Sequence, residues 1–185
     1  MPYVILDRDG VINHDSPDYI KSPLEWEPIP GSLEAIAHFN QAGFRVIVAT
    51  NQSGISRGLY DLATLAKIHH KFLELLKPAG GKIEEIFFCP HLPADHCLCR
   101  KPQPGLLHQI EKKYGVDLAS TYFIGDSLSD VQAAQRAGCL PGLVLTGNGK
   151  NTQKNLPENS GVTFFEDLAE AAEIICKTHT RVTHD

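Results

Sequence analysis

The sequence has no apolar run long enough to span a bilayer, and no excess of positive charge. Its 185 residues carry a net charge of −5, which excludes a basic nucleic-acid footprint. It has no internal repeat, no low-complexity tract, and no basic leader with a cleavage site ahead of its first apolar segment. Its five cysteines are odd in number, and Cys89, Cys97 and Cys99 crowd together, so a secreted disulfide framework is excluded. These absences predict a cytoplasmic protein with no nucleic-acid or membrane partner, and nothing demands more than a monomer. The length predicts a single domain over residues 1–185. In so acidic a chain, an anionic substrate must meet local positive charge, from a metal or from particular lysines and arginines.

What is present is organised around Tyr3-Val4-Ile5-Leu6-Asp7-Arg8-Asp9-Gly10-Val11. A short apolar run ends in two carboxylates flanking an arginine, then glycine. This reads as a buried strand whose carboxyl end opens into a loop. In extended backbone, residues two apart point the same way. Asp7 and Asp9 would then repel each other unless a cation or proton sits between them. A plain strand-to-turn junction is the other reading, because Asp and Gly suit turns.

Three later segments favour a site. Val46-Ile47-Val48-Ala49 runs into Thr50-Asn51-Gln52-Ser53-Gly54. Arg100-Lys101-Pro102 precedes Gln103-Pro104-Gly105. Tyr122-Phe123-Ile124 runs into Gly125-Asp126-Ser127, with Asp130 beyond. In an open parallel sheet the carboxyl ends of the strands share one edge, where ligands bind, so these groups converge there.

Between the motifs, strands alternate with helices. Helices are predicted from Gly31-Ser32 to Gly43, over 61–76, 103–114 and 128–137, and from about Phe165 to Lys177. Further strands are predicted over 44–49, 83–88, 122–124 and 143–145. Ile12 to Pro30 is too rich in proline for a long helix and reads as a loop over the site. Gly147 to Gly161, rich in Gly, Asn and Lys, reads as a mobile stretch. The pattern predicts right-handed βαβ units and a three-layer, Rossmann-like parallel sheet. Residues 10–49 separate Asp9 from Thr50 and already hold a helix, which leaves no room for a large cap domain. Loops alone must close the site over a small soluble substrate. His38, His69, His70 and His108 fall on helices as surface or packing residues.

The ordered set DxD, Thr, Lys and GDxxxD resembles the haloacid dehalogenase-like superfamily of aspartate-nucleophile phosphotransferases, over roughly residues 3 to 145. Cys89-Pro90-His91 and Cys97-Leu98-Cys99 supply three thiolates and an imidazole, a tetrahedral set that predicts a closed, structural zinc site on a small loop. His96 competes with His91, which is preferred for its CxH pair with Cys89. Arg100 and Lys101 follow directly, so zinc would fix a loop that aims two cations at the site.

CPH…CxCRKPxPG with TNQSGISRG resembles the D-glycero-D-manno-heptose 1,7-bisphosphate phosphatase family. The histidinol-phosphate phosphatases carry the same zinc loop but typically lack SGISRG and PxPG, and stand as the alternative. A non-catalytic zinc-loop binding module would explain the cysteines but not the ordered acids, threonine and lysine. The resemblance implies a magnesium-dependent, zinc-containing phosphatase of a small phosphorylated sugar. It implies Asp7 as nucleophile, Asp9 as acid and base, and Thr50 and Lys101 on the phosphoryl oxygens. Mg²⁺ would take Asp7, Asp126 and the Asp9 backbone carbonyl; Zn²⁺ would take Cys89, His91, Cys97 and Cys99. Substrate would meet Thr50, Asn51, Gln52, Ser53, Arg57, Arg100 and Lys101. Asp130 reads either as a residue that positions its neighbours or as a helix-start acid. Ser127 departs from the lysine often found there in the heptose enzymes.

Overall fold

The computed structural model describes residues 1–182. The strands are β1 (Tyr3–Leu6), β2 (Arg45–Asn51), β3 (Glu85–Cys89), β4 (Tyr122–Gly125), β5 (Leu140–Val144) and β6 (Thr163–Phe165). The helices are α1 (Ser32–Gln41), α2 (Leu62–Leu76), α3 (Gly105–Tyr114), α4 (Leu128–Ala137), α5 (Gly149–Asn155) and α6 (Leu168–Val182). All strand pairs are parallel, in the order β3-β2-β1-β4-β5-β6. The chain leaves β1 toward β2 and β3, then returns to place β4 on the other side of β1. The direction of winding reverses there, and a crevice opens at the carboxyl ends of β1 and β4. Asp7 and Asp126 follow those two ends.

Alternation along the strands builds the two faces. Val4, Leu6, Val46 and Val48 join one core cluster with Ile36, Phe39, Ile68, Phe72 and Ala172. Ile5, Ile47 and Ala49 join a second, with Leu107, Ile110 and Ala134. The fold is therefore the three-layer α/β arrangement predicted from the motif spacing. The stretch before α1 contributes only a 3-10 turn at Pro23–Glu25. It is pinned rather than free. Trp26 is fully buried and its ring lies 5.1 Å from that of Phe72. Lys71 on α2 donates to the carbonyls of Pro23 and Trp26 at 2.6 and 2.7 Å.

The structure corrects three expectations. The stretch 147–161, read as mobile, contains α5. Its helix is polar, and without an apolar stripe its period is invisible in the sequence. Phe165, placed at the start of the last helix, instead pairs with Val144 in the edge strand β6, and α6 begins at Leu168. β5 starts at Leu140, through Pro141 and Gly142, because ladder pairing with Tyr122 to Gly125 decides its register and outweighs local propensity.

Candidate active site

β1 stops at Leu6, and the loop after it turns at Arg8. The Arg8 carbonyl accepts from the backbone N–H of Ile12 at 2.8 Å and of Val11 at 3.3 Å. Gly10 takes φ +81° at the bend; a side chain there would collide with the Asp126 carboxylate. Past β1, Lys101 forms the centre of the site. Its ammonium lies 2.9 Å from Asp7 Oδ1 and 2.7 Å from Asp130 Oδ1, and donates to the Ala49 carbonyl at 2.9 Å. Its side chain is 3% exposed and that of Asp130 is 1% exposed. Burial alone would lower the Lys101 pKa, but Asp130 and then Asp7 outweigh it and hold the ammonium charged. Burial would likewise raise Asp130, yet Lys101 keeps it below the ordinary carboxylate value.

Asp130 has a second duty. Its Oδ2 accepts from the backbone N–H of Asp126 and Ser127 at 3.2 and 3.1 Å, and from the Ser127 hydroxyl at 2.7 Å. Ser127 caps α4, and Asp130 completes the capping box. Both readings of Asp130 therefore hold: it starts the helix, and it positions Lys101 and the backbone of Asp126.

Asp7, Asp126 and Asp130 bring carboxylate oxygens within 4.8 Å of one another. Burial, then the Asp130 charge, raises Asp7 well above its ordinary value, with Lys101 opposing. Burial and Asp130 push Asp126 up to about 7. With Asp130 committed to Lys101, Asp7 and Asp126 are the pair suited to a hard cation that takes oxygen ligands. Asp126 is oriented by residues absent from the sequence reading. Asn148 donates its backbone N–H to Asp126 Oδ2 at 2.8 Å, and Thr152 donates to the Asp126 carbonyl at 2.9 Å. Asn148 at the start of α5 was detectable only as an N-cap type within a Gly-Asn-Gly turn.

Asp9 lines the same cavity as Asp7, but its carboxylate is turned away from the acidic trio. Arg8 Nε and Nη2 contact its Oδ1 at 3.0 and 2.8 Å, and Nη2 contacts its Oδ2 at 3.1 Å. Asn13 and Gln52 donate to it at 2.8 and 3.0 Å. The predicted repulsion between Asp7 and Asp9 is thus met by an arginine fork on Asp9. Extended alternation ends with β1, which is why the two-residue spacing did not foretell it.

The cavity, about 280 Å³, is lined by Asp7, Asp9, Thr50, Asn51, Gln52 and Ser53. Arg57, Arg100, Lys101 and Asp126 line it as well, with Asp15, Ser16 and Tyr19 from the loop after β1. Every predicted catalytic, magnesium and substrate residue therefore reaches one cavity. Asn51 faces the cysteine-rich loop: its amide exchanges two hydrogen bonds of 3.1 Å with the Lys101 backbone. Arg57 is exposed, and its guanidinium stacks 5.7 Å from the centre of the Tyr19 ring.

Cys89, His91, Cys97 and Cys99 form one cluster. Its sulfur–sulfur separations run from 3.2 to 3.6 Å, and His91 Nδ1 lies 3.5 and 3.3 Å from Cys89 and Cys99 Sγ. These are the edges expected of a tetrahedron around one ion with bonds of about 2.0–2.3 Å, and far exceed the roughly 2.05 Å of a disulfide. His96 is exposed and lies outside the cluster. Arg100 is tied to this loop: its N–H donates to Cys97 Sγ and its Nη1 to the His91 carbonyl, each at 3.3 Å.

A family model described as HAD-hydrolase-like matches residues 98–171. The chain is 54% identical over 175 residues to a D-glycero-beta-D-manno-heptose-1,7-bisphosphate 7-phosphatase of Bordetella bronchiseptica, covering 94% of this chain and 97% of the relative. It is 55% identical over 173 residues to the phosphatase of that name from Pseudomonas aeruginosa, covering 93% and 96%. A crystal structure of the D,D-heptose 1,7-bisphosphate phosphatase from B. bronchiseptica, complexed with magnesium and phosphate, matches with a TM-score of 0.93 and 52% identity. That match covers 96% of this chain and 99% of the other. Likeness of this degree, over nearly the whole of each protein, adds to a site already assembled from ordered motifs: the chain belongs to the D-glycero-beta-D-manno-heptose-1,7-bisphosphate 7-phosphatase family of HAD-like hydrolases.

Proposed function

We propose that this protein removes the C7 phosphate of D-glycero-β-D-manno-heptose 1,7-bisphosphate, leaving the 1-phosphate, in the synthesis of nucleotide-activated heptose for lipopolysaccharide. The observation that carries this reading is the buried Lys101, shared between Asp7 and Asp130 in one cavity with Asp9, Thr50 and Asp126. The β-anomer is taken from the names of the relatives. The proposal has the protein acting as a cytoplasmic monomer; among the described residues no helix is long and apolar enough to cross a membrane.

Magnesium, held by Asp7, Asp126 and the Asp9 carbonyl, would mask negative charge at the reacting phosphate. The chain supplies the rest. An Asp7 oxygen attacks phosphorus. The bond from phosphorus to the sugar oxygen breaks, and Asp9 gives that oxygen a proton. Water then attacks phosphorus while Asp9 takes its proton, the bond to Asp7 breaks, and phosphate leaves. Thr50 and Lys101 hold the phosphoryl oxygens and offset their charge.

Phosphate release from heptose 1,7-bisphosphate and from histidinol phosphate, each with and without Mg²⁺, tests the proposal. A higher kcat/KM on histidinol phosphate, or a rate indifferent to Mg²⁺, would defeat it.

The cysteine cluster is proposed to hold one structural zinc, with no open position for catalysis. Wild-type protein prepared without chelators is expected to contain about one zinc per chain. Cys97→Ser is expected to lose it and to lower activity indirectly, by loosening the loop that carries Arg100 and Lys101. Elemental analysis finding no zinc in the wild type would sink the assignment.

Arg100, with Arg57, is proposed to bind the phosphate that does not react. An arginine fork binds phosphate bidentately, and remote binding energy serves positioning. Arg100→Ala is expected to lower kcat/KM on the bisphosphate by about 1.5–3 kcal/mol, roughly tenfold to 150-fold, with little change on a small monophosphate. Equal losses on both would assign Arg100 to the reacting phosphate or to the loop.

A further inference from the structure

Two groups at the site have no part in the mechanism above. Arg8 is 0% exposed, and an arginine is costly to bury. Its Nε and Nη2 engage Asp9, and its Nη1 lies 3.2 Å from His69 Nε2. His69 comes from α2, and its ring stands edge-on to Phe88, with centroids 6.4 Å apart. Burial, then the Arg8 charge, lowers the His69 pKa to about 3. The imidazole is therefore neutral and accepts the Arg8 N–H with its free nitrogen lone pair.

We propose that Arg8 and His69 are positioning residues: His69 fixes the guanidinium, and the guanidinium fixes the Asp9 carboxyl for proton transfer with the reacting phosphoester. The inference rests on the phosphatase reading above. It extends that reading to two side chains with no role in the steps above: the Arg8 guanidinium meets Asp9 and His69, while the Arg8 backbone N–H donates to Asp7 Oδ1 at 2.7 Å.

The geometry favours this over a simple structural pair. Adjacent side chains on a strand point to opposite faces, yet the turn at Arg8 folds its side chain back onto its own neighbour. The fork is unsymmetrical, with two of its three contacts on Oδ1. Asn13 meets that same oxygen and Gln52 meets Oδ2. Gln52 is itself held by the Tyr60 hydroxyl at 2.6 Å. The Asp9 side chain keeps 22% exposure, so it is clamped at the rim of the cavity and not sealed in the core.

The mechanism lets proton delivery be separated from folding. A sugar oxygen leaves poorly without a proton, whereas p-nitrophenolate leaves well without one, and kcat/KM reads the first chemical step for both substrates. General acid catalysis supplies about 10²–10⁴-fold. Arg8→Lys is therefore expected to lose roughly 100-fold in kcat/KM on heptose bisphosphate and under about fivefold on p-nitrophenyl phosphate. His69→Phe keeps the ring volume but removes the acceptor; it is expected to lose about tenfold on the sugar and under about twofold on the aryl ester. His69→Gln restores an acceptor and is expected to recover most of that loss. If Arg8→Lys does not fold, the two His69 variants decide. Losses equal on the two substrates, no loss on either, or no recovery with glutamine would overturn the inference. A wild-type protein that hydrolyses neither ester would instead sink the phosphatase reading, and this inference with it.

Discussion

Asp7→Asn is expected to abolish turnover, lowering kcat by at least about 10⁴-fold, while leaving the fold intact. The amide matches the carboxylate in shape but has no charge with which to attack phosphorus. Its oxygen keeps the 2.7 Å bond from the Arg8 N–H. Lys101 keeps Asp130 at 2.7 Å, so no buried charge is stranded. The substitution also thins a crowd of three carboxylates, so metal-free Asp7→Asn should melt no lower than wild type. Steady-state kinetics, circular dichroism and thermal melting check this together. A kcat within tenfold of wild type would remove Asp7 from the nucleophile's role. A collapsed fold would show that its charge is structural.

Lys101→Met is expected to damage stability as well as activity. Methionine fills a similar volume but leaves Asp7 and Asp130 facing each other in the interior. Removing one partner of a buried ion pair costs about 3–5 kcal/mol. For a chain of this length that is a fall in Tm of roughly 6–20 °C. The contact of the ammonium with the Phe123 ring, 5.3 Å to its centroid, is lost as well. Turnover should vanish, because the phosphoryl oxygens lose their buried cation. Mg²⁺ should return part of the lost stability, since it restores positive charge beside Asp7. Lys113 is the control. It pairs with Glu85 at 2.6 Å, but the two side chains are 56% and 33% exposed. Such a surface pair is worth at most about 1 kcal/mol, so Lys113→Met should barely move the melting curve. Equal shifts in the two variants would mean that the buried triangle carries no special stability.

Aspects of the fold that depend on periodicity were readable in the linear chain. Leu65, Ile68, Phe72 and Leu76 recur at helical spacing, and all four are buried on α2. The apolar runs ending at Leu6, Ala49 and Ile124 lie in parallel strands. That the interval of residues 10–49 holds one α-helix and no large insert followed from arithmetic on the motif spacing. The four clustered side chains of the loop were legible because their spacing is local: Cys89 and His91, like Cys97 and Cys99, need only a short turn to converge.

By itself, then, the sequence determined the layer architecture, the side of the sheet that carries chemistry, and which acids, threonine and lysine gather there. These depend on side-chain period and motif order, which are properties of the chain read locally. Tertiary structure alone decided the partners. It joined Lys101 to Asp130 as well as to Asp7, turned Asp9 onto Arg8, backed Arg8 with His69 from a distant helix, and brought Asn148 to Asp126. It also drew Phe165 into the sheet. The physical reason is shared by the polar pairs: a buried charge or polar group must find a partner wherever the fold supplies one. Apart from Arg8 and Asp9, which are neighbours that the turn after β1 folds together, those partners lie tens of residues away, beyond the reach of any local pattern.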